Sequence, residues 1–191
     1  MKALAIVAHP DDETIWMGNQ ILKNRYGWTI FSLCRANDKD RCPKFLKVCS
    51  YYNAKPVITS LEDDKLEPVG IKEIIGLIDK NLKDKDYDII YTHGENGEYG
   101  HIRHKEIHQA VKKMIKKGEL KTKKIFYFNY KKDDNYCSAV KNKYYHKLTD
   151  KELKEKKKIV MDMYCFKKGS FEEKSCGDES FEIGNTVCLS T

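Results

Sequence analysis

The apolar positions of this chain change period repeatedly. Ala3–Ala8 is a continuous apolar run, the pattern of a strand buried on both faces. Helical spacing follows through Ile15, Met17, Ile21 and Leu22, predicting a helix from Asp12 to Tyr26 that ends near Gly27. Trp28–Cys34 reads as a strand, Cys42–Tyr52 as a helix and Pro56–Leu61 as a third strand. Ile71–Leu82 has helical spacing, and Tyr87–Thr92 is again compact and β-prone. A glycine-bearing loop, His93–Gly100, leads to an amphipathic helix over His104–Lys117 and a fifth strand at Ile125–Tyr130. This alternation predicts βαβ units with right-handed crossovers: an α/β, Rossmann-like three-layer fold with a mostly parallel twisted sheet.

Beyond Lys131 the rhythm weakens. Thr149–Tyr164 reads as one more helix, with Thr149 as N-cap and Glu152 completing a capping box. Ser180–Ile183 and Thr186–Leu189 are β-prone and suit a late hairpin or an edge strand. At 191 residues, with no linker or repeat, the expectation is a single domain spanning residues 1–191.

Charge refines the picture. The net charge is +7, yet residues 112–158 hold 17 lysines against six acidic residues, so the remainder is mildly acidic. That segment has no arginine, whose guanidinium fork favours base and phosphate recognition, so no nucleic-acid partner is expected. A solvated lysine-rich surface is the plain reading, with peripheral contact to an anionic partner or membrane face as the alternative. No apolar run approaches the roughly 20 residues that span a bilayer, and Met1-Lys2-Ala3-Leu4 does not open like a signal peptide. Seven cysteines, an odd number at wide spacings, suit neither a disulfide framework nor a zinc knuckle; reduced, mostly buried thiols in a cytoplasmic protein are expected.

Candidate chemistry gathers where two strands end, the place where ligands bind in doubly wound sheets. The first strand runs into His9-Pro10-Asp11-Asp12-Glu13. The fourth runs into a segment from His93 to His104, and five of the six histidines lie in these segments or one turn beyond, at His108. His9 and Asp12 with a third ligand from the other loop would make a His₂Asp face with an open position, as a catalytic zinc site requires. Adjacent carboxylates can divide the work, Asp12 binding metal while Asp11 accepts a proton. The alternative for Asp11 or Asp12 is an N-cap. His108 reads as a supporting or surface residue, and His146 as surface.

Ala8-His9-Pro10-Asp11-Asp12-Glu13, with Gly100-His101-Ile102-Arg103-His104, resembles the PIG-L/LmbE-like family of zinc-dependent N-deacetylases. The resemblance covers roughly two-thirds of the chain, leaving residues 131–191 a poorly matched C-terminal region of the same domain. It implies Zn²⁺, or another divalent metal, on His9, Asp12 and His104, with Asp11 as the general base. His101 would stabilise the oxyanion or protonate the departing amine, Tyr99 would contact the oxyanion, and Arg41 would contact substrate. The implied reaction removes the acetyl group from an N-acetylglucosamine-type sugar or glycoside. Arg103 stands where many relatives carry an acid, and close to His101 it would disfavour the imidazolium. The alternatives are a metal-dependent hydrolase of another amide or ester, and a non-catalytic sugar-binding or interaction module with a lysine-rich docking surface.

Overall fold

The computed structural model describes residues 1–185. Six strands and five helices build its main layers: β1 (Lys2–Val7), α1 (Asp12–Lys23), β2 (Gly27–Ser32), α2 (Arg41–Tyr51), β3 (Lys55–Ile58), α3 (Ile71–Asn81), β4 (Asp86–Thr92), a one-turn α4 (Gly97–Gly100), α5 (Ile102–Lys116), β5 (Lys121–Phe128) and, near the end, β9 (Glu179–Gly184). Between β5 and β9 lie β6 (Tyr130–Lys132), β7 (Cys137–Ala139), β8 (Tyr145–His146), α6 (Asp150–Lys158), a π-helical turn (Ile159–Met163) and α7 (Phe171–Ser175). The main sheet has the order β3-β2-β1-β4-β5-β9-β8. Its first five strands are parallel, while β9 pairs antiparallel with both β5 and β8. This is the expected α/β, mostly parallel architecture. Ser180–Ile183 lies inside the sheet rather than at its edge, and Thr186–Leu189 falls outside the described residues.

The first strand shows why the pattern folds this way. Ala3, Ala5 and Val7 face a core shared with α1, α2 and the C-terminal segment. Leu4, Ile6 and Ala8 face a second core with α3 and α5. Alternate residues thus serve opposite faces, so every position must be apolar. β1 and β4 are neighbours, with Ile6 opposite Thr92. The chain leaves them toward opposite sides of the sheet, which opens a crevice at their C-terminal ends. Both candidate loops end there.

The expected single helix over Thr149–Tyr164 is two pieces, α6 and the π-helical turn, with the Thr149–Glu152 capping box in place. One lysine of the basic segment is not solvated: Lys156 is fully buried, 3.0 Å from the equally buried Glu179. The Glu179 carboxylate also accepts the backbone N–H groups of Asn19 (2.7 Å) and Gln20 (3.2 Å), just past a non-helical Met17 (φ −147°). A carboxylate from the last strand therefore caps the second half of α1. The cysteines among the described residues are free, and Cys34, Cys49, Cys137 and Cys176 are buried. Among those residues, no helix is long and apolar enough to cross a membrane.

Candidate metal centre and active site

His9, Pro10 and Asp11 form the turn between β1 and α1. Asp11 sits at φ 130°, a region that costs most L-residues about 1–3 kcal/mol. It occupies the N-cap position of α1 yet makes no side-chain cap bond, so its carboxylate is not consumed by capping. Asp11 Oδ2 instead meets Arg41 Nη1 at 2.5 Å. Arg41, the first residue of α2, lies with its guanidinium carbon 4.5 Å from the centre of the Phe166 ring.

Asp12 is fixed from both sides. Its Oδ1 accepts the Trp16 indole N–H at 2.8 Å, and its Oδ2 accepts the His9 backbone N–H at 2.8 Å. The same Oδ2 lies 3.3 Å from His9 Nδ1 and 3.5 Å from His104 Nε2, and those two nitrogens are 3.3 Å apart. Four ligands arranged tetrahedrally at about 2.0–2.1 Å from zinc stand about 3.3–3.4 Å from one another. The three atoms therefore have the spacing of one face of such a site, and their chemistry, two imidazoles and a carboxylate, suits zinc.

Hydrogen bonding on the far side of each ring orients these lone pairs. His104 Nδ1 lies 2.5 Å from Glu98 Oε2, so a proton on Nδ1 leaves Nε2 free to face Asp12. His9 Nε2 lies 3.0 Å from Asp63 Oδ2, which frees Nδ1 in the same way. His93 differs. Its Nε2 accepts the Ala8 backbone N–H at 2.9 Å while Nδ1 faces Glu98 at 2.9 Å, so neither nitrogen is left for a metal. A further grouping of His9, Cys34 and Asp63 lies within 4.8 Å, but Arg35 Nη2 already places a positive charge 2.7 Å from Asp63 Oδ2. That proximity opposes a second cation.

The electrostatics agree with a face that attracts positive charge. Burial opposes ionisation of Glu98, yet His93 and His104 bring it down to about 2. Burial likewise opposes Asp12, but His104 and His9 hold it well below the usual carboxylate range. Burial lowers His9, and the Asp12 and Asp63 carboxylates overcome it, raising the ring to about 10. Asp11 moves the other way, pushed well up by burial and by Asp12 despite Arg41. Glu13, fully buried, is raised by burial to about 7; it holds Thr14 and Tyr164 hydroxyls at 2.6 and 2.7 Å and the Asp11 N–H at 3.1 Å.

His101 caps α5, its Nδ1 accepting the Arg103 N–H at 3.3 Å. The ring's proton is then on Nε2. Burial, His104 and His9 together lower its pKa to about 4. The expected effect of Arg103 on this ring is corrected by its geometry. The Arg103 side chain is fully buried and engages Glu106 Oε2 (2.6 Å), Glu62 Oε2 (2.5 Å), the Glu67 carbonyl (2.6 Å) and the Glu62 carbonyl. One step along the helix from His104, a turn of about 100°, puts the Arg103 side chain on another face.

These residues floor and wall a cavity of about 380 Å³. His9, Asp11, Asp12, Tyr99, His101 and Arg41 line it together, and His104 sits just beneath, fully buried. Tyr99 packs edge-on against His104 (5.3 Å between ring centres) and Phe171 (4.9 Å). His108 does not reach the cavity; buried, it donates from Nδ1 to the His93 carbonyl at 3.0 Å. His146 is exposed on β8.

Sequence reasoning missed Glu98, Asp63, Arg35 and the aromatic residues Phe166 and Phe171. A signal for Glu98 does exist in the glycines around it. A Cβ on Gly94 would lie 2.3 Å from the Phe128 carbonyl oxygen, so the loop passes closer than any other residue allows. Gly97 (φ 66°) and Glu98 itself (φ 57°) then turn the chain back under the histidines.

The doubly wound α/β fold thus brings two histidines and a carboxylate together at its switch point, at a spacing that could hold a metal ion. Residues 4–115 match the PIG-L family, described as GlcNAc-PI de-N-acetylase, and the chain belongs to that family. It is 26% identical over 125 residues to an uncharacterized protein of Acanthamoeba polyphaga mimivirus, covering 56% of this chain and 55% of that protein. The chain thus aligns with about half the length of that curated relative. Among solved structures, it is similar to N,N'-diacetylchitobiose deacetylase from Pyrococcus horikoshii, with a TM-score of 0.73, 16% identity, and 96% of this chain and 83% of that one covered. A conserved protein from Thermus thermophilus follows at a TM-score of 0.69 and 11% identity, covering 98% and 96%. A deacetylase of the teicoplanin biosynthetic pathway gives 0.59 and 12%, covering 86% and 82%. The shared fold therefore extends well past residue 115, where the family match stops.

Proposed function

We propose that this chain is a zinc-dependent hydrolase that removes the acetyl group from an N-acetylglucosamine-type sugar or glycoside. The observation that carries the reading is the triangle of His9 Nδ1, Asp12 Oδ2 and His104 Nε2, with edges of 3.3–3.5 Å, beside the Asp11 carboxylate at a cavity floor. Membership of the PIG-L family supports the reaction class, and the pairing of β9 with β5 supports one domain.

In this reading His9, Asp12 and His104 hold the metal. Once bound, a divalent ion there supplies a polarised carbonyl and an acidified water. The chain's residues do the rest. Asp11, lacking a cap bond and facing the cavity, takes the proton from water, while Arg41 fixes one of its oxygens. His101 directs Nε2–H into the cavity, where it can hydrogen-bond the developing oxyanion with Tyr99 alongside, and the proton that Asp11 takes from water passes to the departing amine. Tyr99 and Phe171 offer apolar ring surface against which a sugar can lie.

The test is acetate release from a panel of N-acetylglucosamine, its oligosaccharides, nucleotide sugars and lipids, with and without added zinc. Metal-dependent acetate release supports the reading. Phosphate or alcohol release without acetate would move the enzyme to another bond. Salt-sensitive binding to anionic vesicles with no hydrolysis would favour an interaction module.

A further inference from the structure

Asp63 is a carboxylate that the motif-bearing loops do not contain. It is 8% exposed, in the connection between β3 and α3. Its Oδ2 lies 3.0 Å from His9 Nε2 and 2.7 Å from Arg35 Nη2. Its Oδ1 is buried without a hydrogen-bond partner among the described residues, and His101 Nε2 lies 3.9 Å from it. An unpartnered buried carboxylate oxygen costs free energy unless something completes it.

The geometry points to Asp63 as the positioning residue of this site, a single carboxylate that sets both His9 and His101. Accepting from His9 Nε2 fixes that ring's tautomer and turns Nδ1 toward Asp12 and His104. The free Oδ1 waits on the side of His101 Nε2, whose proton follows from the bond that Nδ1 makes to the Arg103 N–H. At 3.9 Å the carboxylate attracts the Nε2–H end of the ring by charge while leaving that proton free to donate into the cavity.

Arg103 explains how a residue so distant in sequence is delivered there. Its guanidinium grips Glu62, next to Asp63, and the Glu67 carbonyl. Its partner Glu106 accepts the Val69 N–H at 2.7 Å. The β3–α3 connection is thereby strapped to α5, the helix that begins at His101 and carries His104. The position between the two histidines contributes an anchor, and the carboxylate it anchors does the orienting.

The inference rests on the metal-site reading above, and its test separates the two. The full chain is made as wild type, Asp63→Asn, Asp63→Glu and Asp63→Ser. Zinc affinity of each metal-free protein is measured by chelator competition, the visible spectrum of each cobalt-loaded protein is recorded, and kcat and KM for acetate release are determined. Loss of the carboxylate in Asp63→Asn should weaken zinc binding about 10–100-fold, shift the cobalt bands and lower kcat more than it raises KM. Asp63→Glu should restore part of each. If Asp63→Asn does not fold, Asp63→Ser is read in its place. A folded Asp63→Asn with wild-type zinc affinity, cobalt spectrum and kcat overturns the inference while leaving the functional reading intact. Wild type that binds zinc but releases no acetate overturns the functional reading, and the zinc and cobalt measurements still decide the role of Asp63. Wild type that binds no zinc overturns both.

Discussion

Up to Phe128 the chain runs strand, helix, strand in parallel, and β1 and β4 each deliver side-chain chemistry to a loop at one end of the sheet. From Asn129 to residue 185 the strands are short or antiparallel, one helix gives way to a π-turn, and the contribution is apolar walls and buried anchors. Phe171 and Glu172 line the cavity, Phe166 lies under Arg41, Tyr164 holds Glu13, and Glu179 caps the second half of α1. The contrast teaches that the candidate reactive groups and most of the cavity wall come from the first part, while the second closes one side of the cavity and anchors the elements behind it. The first part reads as a motif; the second is assembled by packing.

Four measurements can break or sharpen that comparison. The largest effect belongs to the first part: His104→Ala or Asp12→Ala should abolish stoichiometric zinc, read by elemental analysis, and lower acetate release at least about 10⁴-fold. Asp11→Asn should keep the zinc yet lose about 10²–10⁴-fold in kcat, because the base is removed and the ligands are not. In the second part the expected effect is on stability. Glu179→Gln should destabilise the fold by about 3–5 kcal/mol in denaturant unfolding, since it leaves the buried Lys156 charge with the Gly177 carbonyl but no carboxylate. Replacing both partners, as Lys156→Met with Glu179→Leu, should cost less than Glu179→Gln alone. The smallest effect is at the wall: Phe171→Ala should raise KM by a few-fold, about 1 kcal/mol, with kcat nearly unchanged. Loss of kcat in Phe171→Ala as large as in Asp11→Asn would erase the division between the two parts.

Much of the first part was legible because period and position coincide there. Continuous apolar strands announce a two-faced sheet, and strands that end in His9–Glu13 and His93–His104 announce where ligands meet. Element ends shifted by a few residues, as at Tyr26, where α1 stops at Lys23. Asp63 carries no signal in the sequence, and Glu98 only the glycines beside it, for a physical reason. Asp63 is one of three consecutive acidic residues, Glu62-Asp63-Asp64, among 29 in the chain, and what brings it and Glu98 under the histidines is a strapped loop in one case and two successive positive φ angles in the other. Arg103 was read as a neighbour of His101 because it is close in sequence, although a helix turns it toward Glu62 and Glu106. Lys156 sat inside a solvated-looking charge run, and only the arrival of Glu179 from β9 explains its burial.

In the proposed function His9, Asp12 and His104 hold one metal that serves deacetylation by Asp11. The most direct test is to titrate zinc into metal-free wild type and Asp11→Asn while following acetate release from N-acetylglucosaminyl substrates. About one zinc should bind per chain in both proteins, with acetate release rising in step with occupancy in wild type alone. Acetate release that is independent of zinc, or equal in the two proteins, would contradict it.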